Sequence, residues 1–277
     1  TTMLDIKSGN EAIKNLIRSG SPFLVNRMRS EIDVVFKRIK GLPLSEENLQ
    51  DLFIKCGVYP FGDKDQINLF IQETMNSMVL ADAWGYCTFY CPYQDWLIKN
   101  VSRTNCVFDF MALEPIYHEE PWTLELAGKK VLIVHPYIET MKKQEPKLVE
   151  IAGGKEQFRD VEFKYVKAVQ SMTGNAPHGS FSESYQIMKD EIAATDFDVA
   201  LLGCGGYGMP LSGYIKSIGK SAVYIGGGLQ LVFGIKGRRW DDSGMSKHYN
   251  EHWVRPSPEE VPNNYMLHEY QNTNPSS

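Results

Sequence analysis

Three things are scarce in this sequence: an excess of positive charge, long apolar runs, and cysteines in a regular framework. Lys and Arg number 29 against 34 Asp and Glu, a formal net charge of −5. That balance excludes a chain-wide attraction to nucleic acid. No apolar run approaches the roughly 20 residues that a membrane-spanning helix needs. The first residues lack the basic-then-apolar pattern of a secretion signal, so the expected location is the cytoplasm. Five cysteines, Cys56, Cys87, Cys91, Cys106 and Cys204, make an odd set without even spacing. This argues against a secreted disulfide scaffold. Cys87 and Cys91 lie four apart, but no second Cys/His pair has zinc-ligand spacing, so free, buried thiols are expected. The sequence also has no P-loop, no Gly-x-Ser-x-Gly and no Ser/His/Asp order.

What is present is an ordinary globular composition, 43% hydrophobic and 23% charged over 277 residues. That is enough for one large domain or two closely packed ones with a substantial core. Residues 8–20 read as a helix capped by Ser8 and stopped by Gly20. Pro22–Val25 reads as a short buried strand, followed by a helix to about Ile39. Ser45 reads as the N-cap of the next helix, with Glu46 and Glu47 in its first turn. Residues 64–80 have helical spacing, and short strands are expected at 84–90 and 106–111. Beyond a boundary near 125 the pattern becomes regular. Apolar runs at 129–134, 161–166, 197–202 and 222–225 read as strands. They alternate with helices to about Glu150, from Ser180 or Ser182, over Leu211–Ile218 and over Leu229–Phe233. Apolar strands alternating with helices predict an α/β, Rossmann-like, mostly parallel doubly wound sheet, with a helical, aromatic-rich N-terminal half. The expected units are 1–125, 126–255 and a polar tail over 256–277, frayed at Asn272–Ser277, the first two of which can run on as one continuous domain.

Ligands of such sheets bind beyond the carboxyl ends of the strands. There the sequence places His135-Pro136-Tyr137, the turn Gly203-Cys204-Gly205-Gly206-Tyr207-Gly208, and Gly226-Gly227-Gly228 at a helix start with Gln230 inside it. Backbone N–H groups of such turns can approach a phosphate closely. Lys236, Arg238 and Arg239 follow and would suit a diphosphate; alone they would read as a solvated surface. Tyr207 and Trp240 could stack on a base or could be packing. Gly203, Gly205 and Gly208 formally fit Gly-x-Gly-x-x-Gly. However, no Asp or Glu ends the next strand to hold a ribose, and Pro210 falls where the helix should already run, so the dinucleotide reading fails. Glu31 and His135 are the catalytic candidates, with Asp109 and Glu114 as lesser ones.

The run Asp198–Trp240 (DVALLGCGGYGMPLSGYIKSIGKSAVYIGGGLQLVFGIKGRRW), with GKKVLIVHPY upstream and NEHWVRP downstream, resembles the bacterial GT-D-type glycosyltransferase fold family. The likeness covers roughly residues 10–255. It implies a Rossmann-like fold, a nucleotide-sugar donor such as a UDP-sugar, a glycan or glycoconjugate acceptor in surface polysaccharide synthesis, and in some members Mn2+ or Mg2+. The family's acidic Asp-x-Glu motif matches Arg29-Ser30-Glu31. Glu31 carries over as base or metal contact, and Arg27 aligns near an arginine of relatives. Arg29 stands in the place of the Asp, a departure that weighs against metal dependence. Three functions follow: a glycosyltransferase, a non-catalytic nucleotide-sugar-binding partner of a transferase or a homo-oligomer of that kind, and, last, a nicotinamide-dependent oxidoreductase.

Overall fold

The structure is a computed structural model that describes residues 2–89 and 91–262, so the expected frayed end Asn272–Ser277 lies outside the described residues. Seven strands form one sheet: β1 Leu24–Asn26, β2 Ala83–Tyr86, β3 Cys106–Asp109, β4 Lys130–His135, β5 Glu162–Lys167, β6 Val199–Leu202 and β7 Ser221–Tyr224. Their order is β3-β2-β1-β7-β6-β4-β5, and every pairing is parallel. The helices in chain order are α1 Ile6–Arg18, α2 Ile32–Ile39, α3 Glu46–Ile54, α4 Lys64–Val79, α5 Gln94–Leu97, α6 Ile138–Gln144, α7 Leu148–Ile151, α8 Phe181–Ala193, α9 Gly208–Ser217, α10 Gly228–Val232 and α11 Arg238–Asp241. The sheet is continuous across residue 125, with β1 from the first half hydrogen-bonded to β7 from the second.

The period-two alternation of the strands divides the core between the two faces. Leu24, Leu132, Val134, Ala200, Leu202 and Ala222 face one core with apolar residues of α2, α4, α8 and α9. Their neighbours Val25, Val131, Ile133, Val199, Leu201 and Val223 face the other with residues of α1, α6 and α10. A sheet buried on both sides explains why these strands read as unbroken apolar runs.

Several boundaries differ from the sequence reading. The first helix is capped by Asp5, whose Oδ1 accepts from Ser8 N at 2.7 Å, not by Ser8. Gly9 lies inside it and leaves room for β3, since a Cβ there would stand 2.7 Å from Phe108 Cβ. The helix after β4 ends at Gln144, and Pro146 in the turn Glu145–Lys147 separates it from α7, since proline lacks the N–H that would continue the ladder. Conversely, α9 begins at Gly208, so Pro210 is its third residue, where no intrahelical donor is required. Ser45 does cap α3, in a reciprocal box with Asn48.

Candidate functional site

A cleft of about 800 Å³ opens along the carboxyl edge of the sheet, over the ends of β1, β7, β6 and β4. This is where an open parallel sheet offers backbone and loop groups to a ligand. Arg27 and Glu31 enter it after β1, Gly226–Gly228 after β7, Gly203–Tyr207 after β6, and His135 ends β4. The segment after β3 adds Phe110 and Glu114, and the segment around α11 adds Arg239 and Trp240.

The three glycines after β7 form the floor of this cleft, and a charged side chain rests on each. A Cβ on Gly226, whose φ is +73°, would stand 2.8 Å from Arg27 Nη1. A Cβ on Gly227 would overlap the Arg239 guanidinium, and one on Gly228 would overlap the Glu114 carboxyl. The run is therefore glycine because two guanidiniums and a carboxyl pack directly on its backbone. Arg27 also lies over the Phe110 ring, with Cζ 4.8 Å from the centroid, and Arg239 over Trp240 at 3.9 Å. Arg27 Nε is buried without a hydrogen-bond partner among the described residues. Glu114 is buried, and burial raises its pKa against the opposing pull of Arg27 and Arg239.

Glu31 lies at the start of α2, yet its carboxyl makes no cap to that helix. Instead Oε2 accepts from Arg29 N at 3.1 Å, and Oε1 is 3.3 Å from the Tyr224 hydroxyl. The same hydroxyl is 3.2 Å from the Gly205 carbonyl oxygen, tying the ends of β7 and β6 to Glu31. Burial raises the Glu31 pKa, opposed by backbone hydrogen bonds, by Tyr224 and by Arg27. A buried carboxyl with a raised pKa beside a cation is a candidate proton acceptor.

His135 is buried and held low, at about 3, by burial and then by the charge of Arg239. Its Nδ1 is 2.9 Å from Tyr137 N, a donor, so the neutral ring carries its proton on Nε2. His135 thus supplies a neutral imidazole and does not act as a cation against phosphate.

The remaining candidates divide. Gly205 and Gly206 line the cleft, but Gly206 is required by the Cys56 backbone, since a Cβ there would overlap the Cys56 carbonyl oxygen. Gly208 lies under the Tyr224 ring, outside the cleft lining. The first glycine turn is thus shaped by close packing of protein on protein. Tyr207 is a core residue: its ring stacks on Phe181 at 4.6 Å and its hydroxyl meets Ser171 Oγ at 2.7 Å. Gln230 lines the cleft while its Nε2 donates to Ile235 O at 3.1 Å, closing the loop after α10. Arg238 is an exposed residue of the rim. Lys236 is not part of the lining; its Nζ lies 5.3 Å from the Tyr249 centroid. Asp109 caps the turn after β3 through Met111 N at 2.9 Å. Lys216 sits at the opposite edge of the sheet, 2.7 Å from Asp82 Oδ2, which also accepts from Leu24 N.

The residues around Glu31 do not fit a divalent cation. Both carboxyl oxygens are engaged by protein donors, the charge acting on the carboxyl is that of the cation Arg27, and among the described residues no group of three or more His, Cys, Asp or Glu is placed to hold a metal. Sequence reasoning undervalued Glu114 and Arg27. Neither has a motif of its own, and their importance rests on Gly226 and Gly228, more than a hundred residues away.

Fold and site together define a doubly wound α/β protein with a cation-lined cleft over a triglycine floor. No family model, no curated protein and no solved structure matches this chain. Among the described residues, no helix is long and apolar enough to cross a membrane.

Proposed function

We propose that the protein is a glycosyltransferase that moves a sugar from a nucleoside-diphosphate donor, a UDP-sugar first among those to test, to a hydroxyl of a glycan or glycoconjugate. The observation that carries this reading is the seating of Arg27 and Arg239 on Gly226 and Gly227, inside a cleft that also holds two buried carboxyls. Two fixed guanidiniums match the spread charge of a diphosphate and would stabilise it as it departs. In the transfer, the acceptor oxygen bonds to the anomeric carbon, the bond from that carbon to the phosphate oxygen breaks, and the acceptor proton passes to the Glu31 carboxylate. Glu114 acts as a positioning residue: its buried carboxyl, packed on Gly228, attracts both Arg27 and Arg239 through its charge. The neutral His135 offers an Nε2–H donor at the sheet edge.

Calorimetric titration with UDP, UDP-glucose and UDP-galactose, followed by measurement of UDP release, tests the reading. Saturable binding lost in Arg239→Met is the expected result. Failure of every nucleoside diphosphate to bind would sink it. Binding without turnover, unaffected by Glu31→Ala, would favour a non-catalytic nucleotide-sugar-binding partner. That second reading is supported by Arg29 in the acidic motif, whose guanidinium is directed to the Phe89 ring, 5.5 Å from Cζ to centroid.

A further inference from the structure

A second cavity, of about 580 Å³, lies beside the first, past the carboxyl end of β5 and against α8. The two share Pro136, Val169 and Gln170 in their linings, so they meet just beyond β5. None of the groups assigned to sugar transfer lines the second cavity. One of its polar side chains is fixed from behind. His178 Nδ1 is 2.8 Å from Ser184 Oγ of α8, and the Tyr59 hydroxyl is 2.6 Å from the same oxygen. Ser184 and Tyr59 are both buried, so the imidazole is held in place and its Nε2 is the nitrogen left for a ligand. The side-chain amides of Gln170 and Asn175 also line the cavity and make no hydrogen bond among the described residues. Val169 and Met188 add apolar surface.

We propose that this cavity binds the far end of a neutral oligosaccharide, and that the acceptor of the transfer is such a chain and not a single sugar; the acceptor role rests on the glycosyltransferase reading. Amides and imidazole each offer a donor and an acceptor, which is what a ring bearing several hydroxyls needs, while the apolar surface meets its C–H face. Charge decides against an anionic ligand. Among the described residues the lining carries the carboxyls of Glu191, Glu259 and Glu260 against the one lysine Lys167. Glu260 is engaged by the backbone N–H groups of Glu139 and Thr140, at 2.8 and 3.1 Å. The other two face a ligand that a phosphate or carboxylate would repel.

The place of the cavity in the sheet sets the length of the chain. A cleft of about 800 Å³ is already large enough for a whole nucleotide-sugar, so the donor does not need the second cavity. Glu31 follows β1, and β5 stands four places away in the order β1-β7-β6-β4-β5. At roughly 4.8 Å between neighbouring strands, about 19 Å separates their ends. An acceptor held at His178 whose hydroxyl reaches Glu31 must bridge that span, which one sugar ring cannot do.

The test titrates the full chain with maltotetraose, cellotetraose and chitotetraose, with glucose as the single-sugar control, and follows the histidine ring signals by NMR. Saturable binding of at least one tetrasaccharide that moves the His178 signals is expected, with glucose weaker by about tenfold or more. His178→Ala and Asn175→Ala should each weaken the tetrasaccharide by about tenfold, the size of one lost hydrogen bond. Asn175 is exposed, so its variant keeps the fold, and any affinity for UDP should be unchanged in both. If no tetrasaccharide binds, or one binds without moving His178, the proposal is overturned and the glycosyltransferase reading stands. Glucose bound at His178 as tightly as the tetrasaccharides would overturn the length argument. Tetrasaccharide binding at His178 in protein that takes no nucleoside diphosphate would support the oligosaccharide site and remove its acceptor role.

Discussion

The Arg239 guanidinium rests on the backbone of Gly227, occupying the space that a Cβ at position 227 would need. Gly227→Ala must therefore displace Arg239, while the fold loses only the cost of local overpacking, roughly 1–3 kcal/mol. The expected outcome is a fall in affinity for a nucleoside diphosphate of about tenfold or more, the size of one lost charge-assisted contact. Calorimetry on folded Gly227→Ala protein decides it. Unchanged affinity would show that Arg239 does not touch the ligand.

Glu31 keeps its proton to higher pH in the fold than in the unfolded chain, because burial raises its pKa above the ordinary 4.5. Its contribution to stability is full below the unfolded value and is lost as pH rises through the folded value. Glu31→Gln should therefore gain stability relative to wild type as pH rises from 4.5 to 8, read from urea unfolding at each pH. Its kcat should drop by about 10²–10⁴-fold, the usual contribution of a general base, with donor affinity little changed.

His135 has the opposite linkage. Its pKa is lowered to about 3 from an ordinary 6.5, so unfolding takes up a proton between those values. Stability should fall as pH drops below 6.5, with His135 contributing a slope of about 1.4 kcal/mol per pH unit until pH nears 3. His135→Gln should flatten that limb. An NMR titration that found the His135 ring protonating near pH 6 would contradict the burial argument.

A pair of variants separates fold from site. A Cβ on Gly213 of α9 would overlap the Ser77 hydroxyl and stand 2.8 Å from Ser77 Cα on α4. Gly213→Ala should cost roughly 1–3 kcal/mol through separation of these helices. Lys216→Met removes the partner of the half-buried Asp82 and should also lower the melting temperature. Neither should change nucleotide affinity once folded. An affinity loss as large as that of Arg239→Met would show that the two edges of the sheet are coupled.

The sequence alone determined the doubly wound fold. Runs such as Val131–Val134 and Val199–Leu202 lie between helices on both faces, and only a sheet covered on both sides tolerates strands without a polar face. The glycine turns after β6 and β7 were legible for the same local reason, being short links between strand ends and helices. The tertiary structure decided what those glycines do. Gly206 and Gly208 admit Cys56 and Tyr224, whereas Gly226, Gly227 and Gly228 admit Arg27, Arg239 and Glu114. Nothing in local spacing distinguishes the two turns, because the side chains that fill the missing Cβ positions come mainly from distant parts of the chain. The same holds for Glu31, which stands at a helix start without capping it. Only the approach of Tyr224 from β7, 193 residues further on, turns it into a buried carboxyl at the cleft. Strand and helix periodicity is written in neighbouring residues, whereas a binding floor is made where the folded sheet brings its carboxyl ends together.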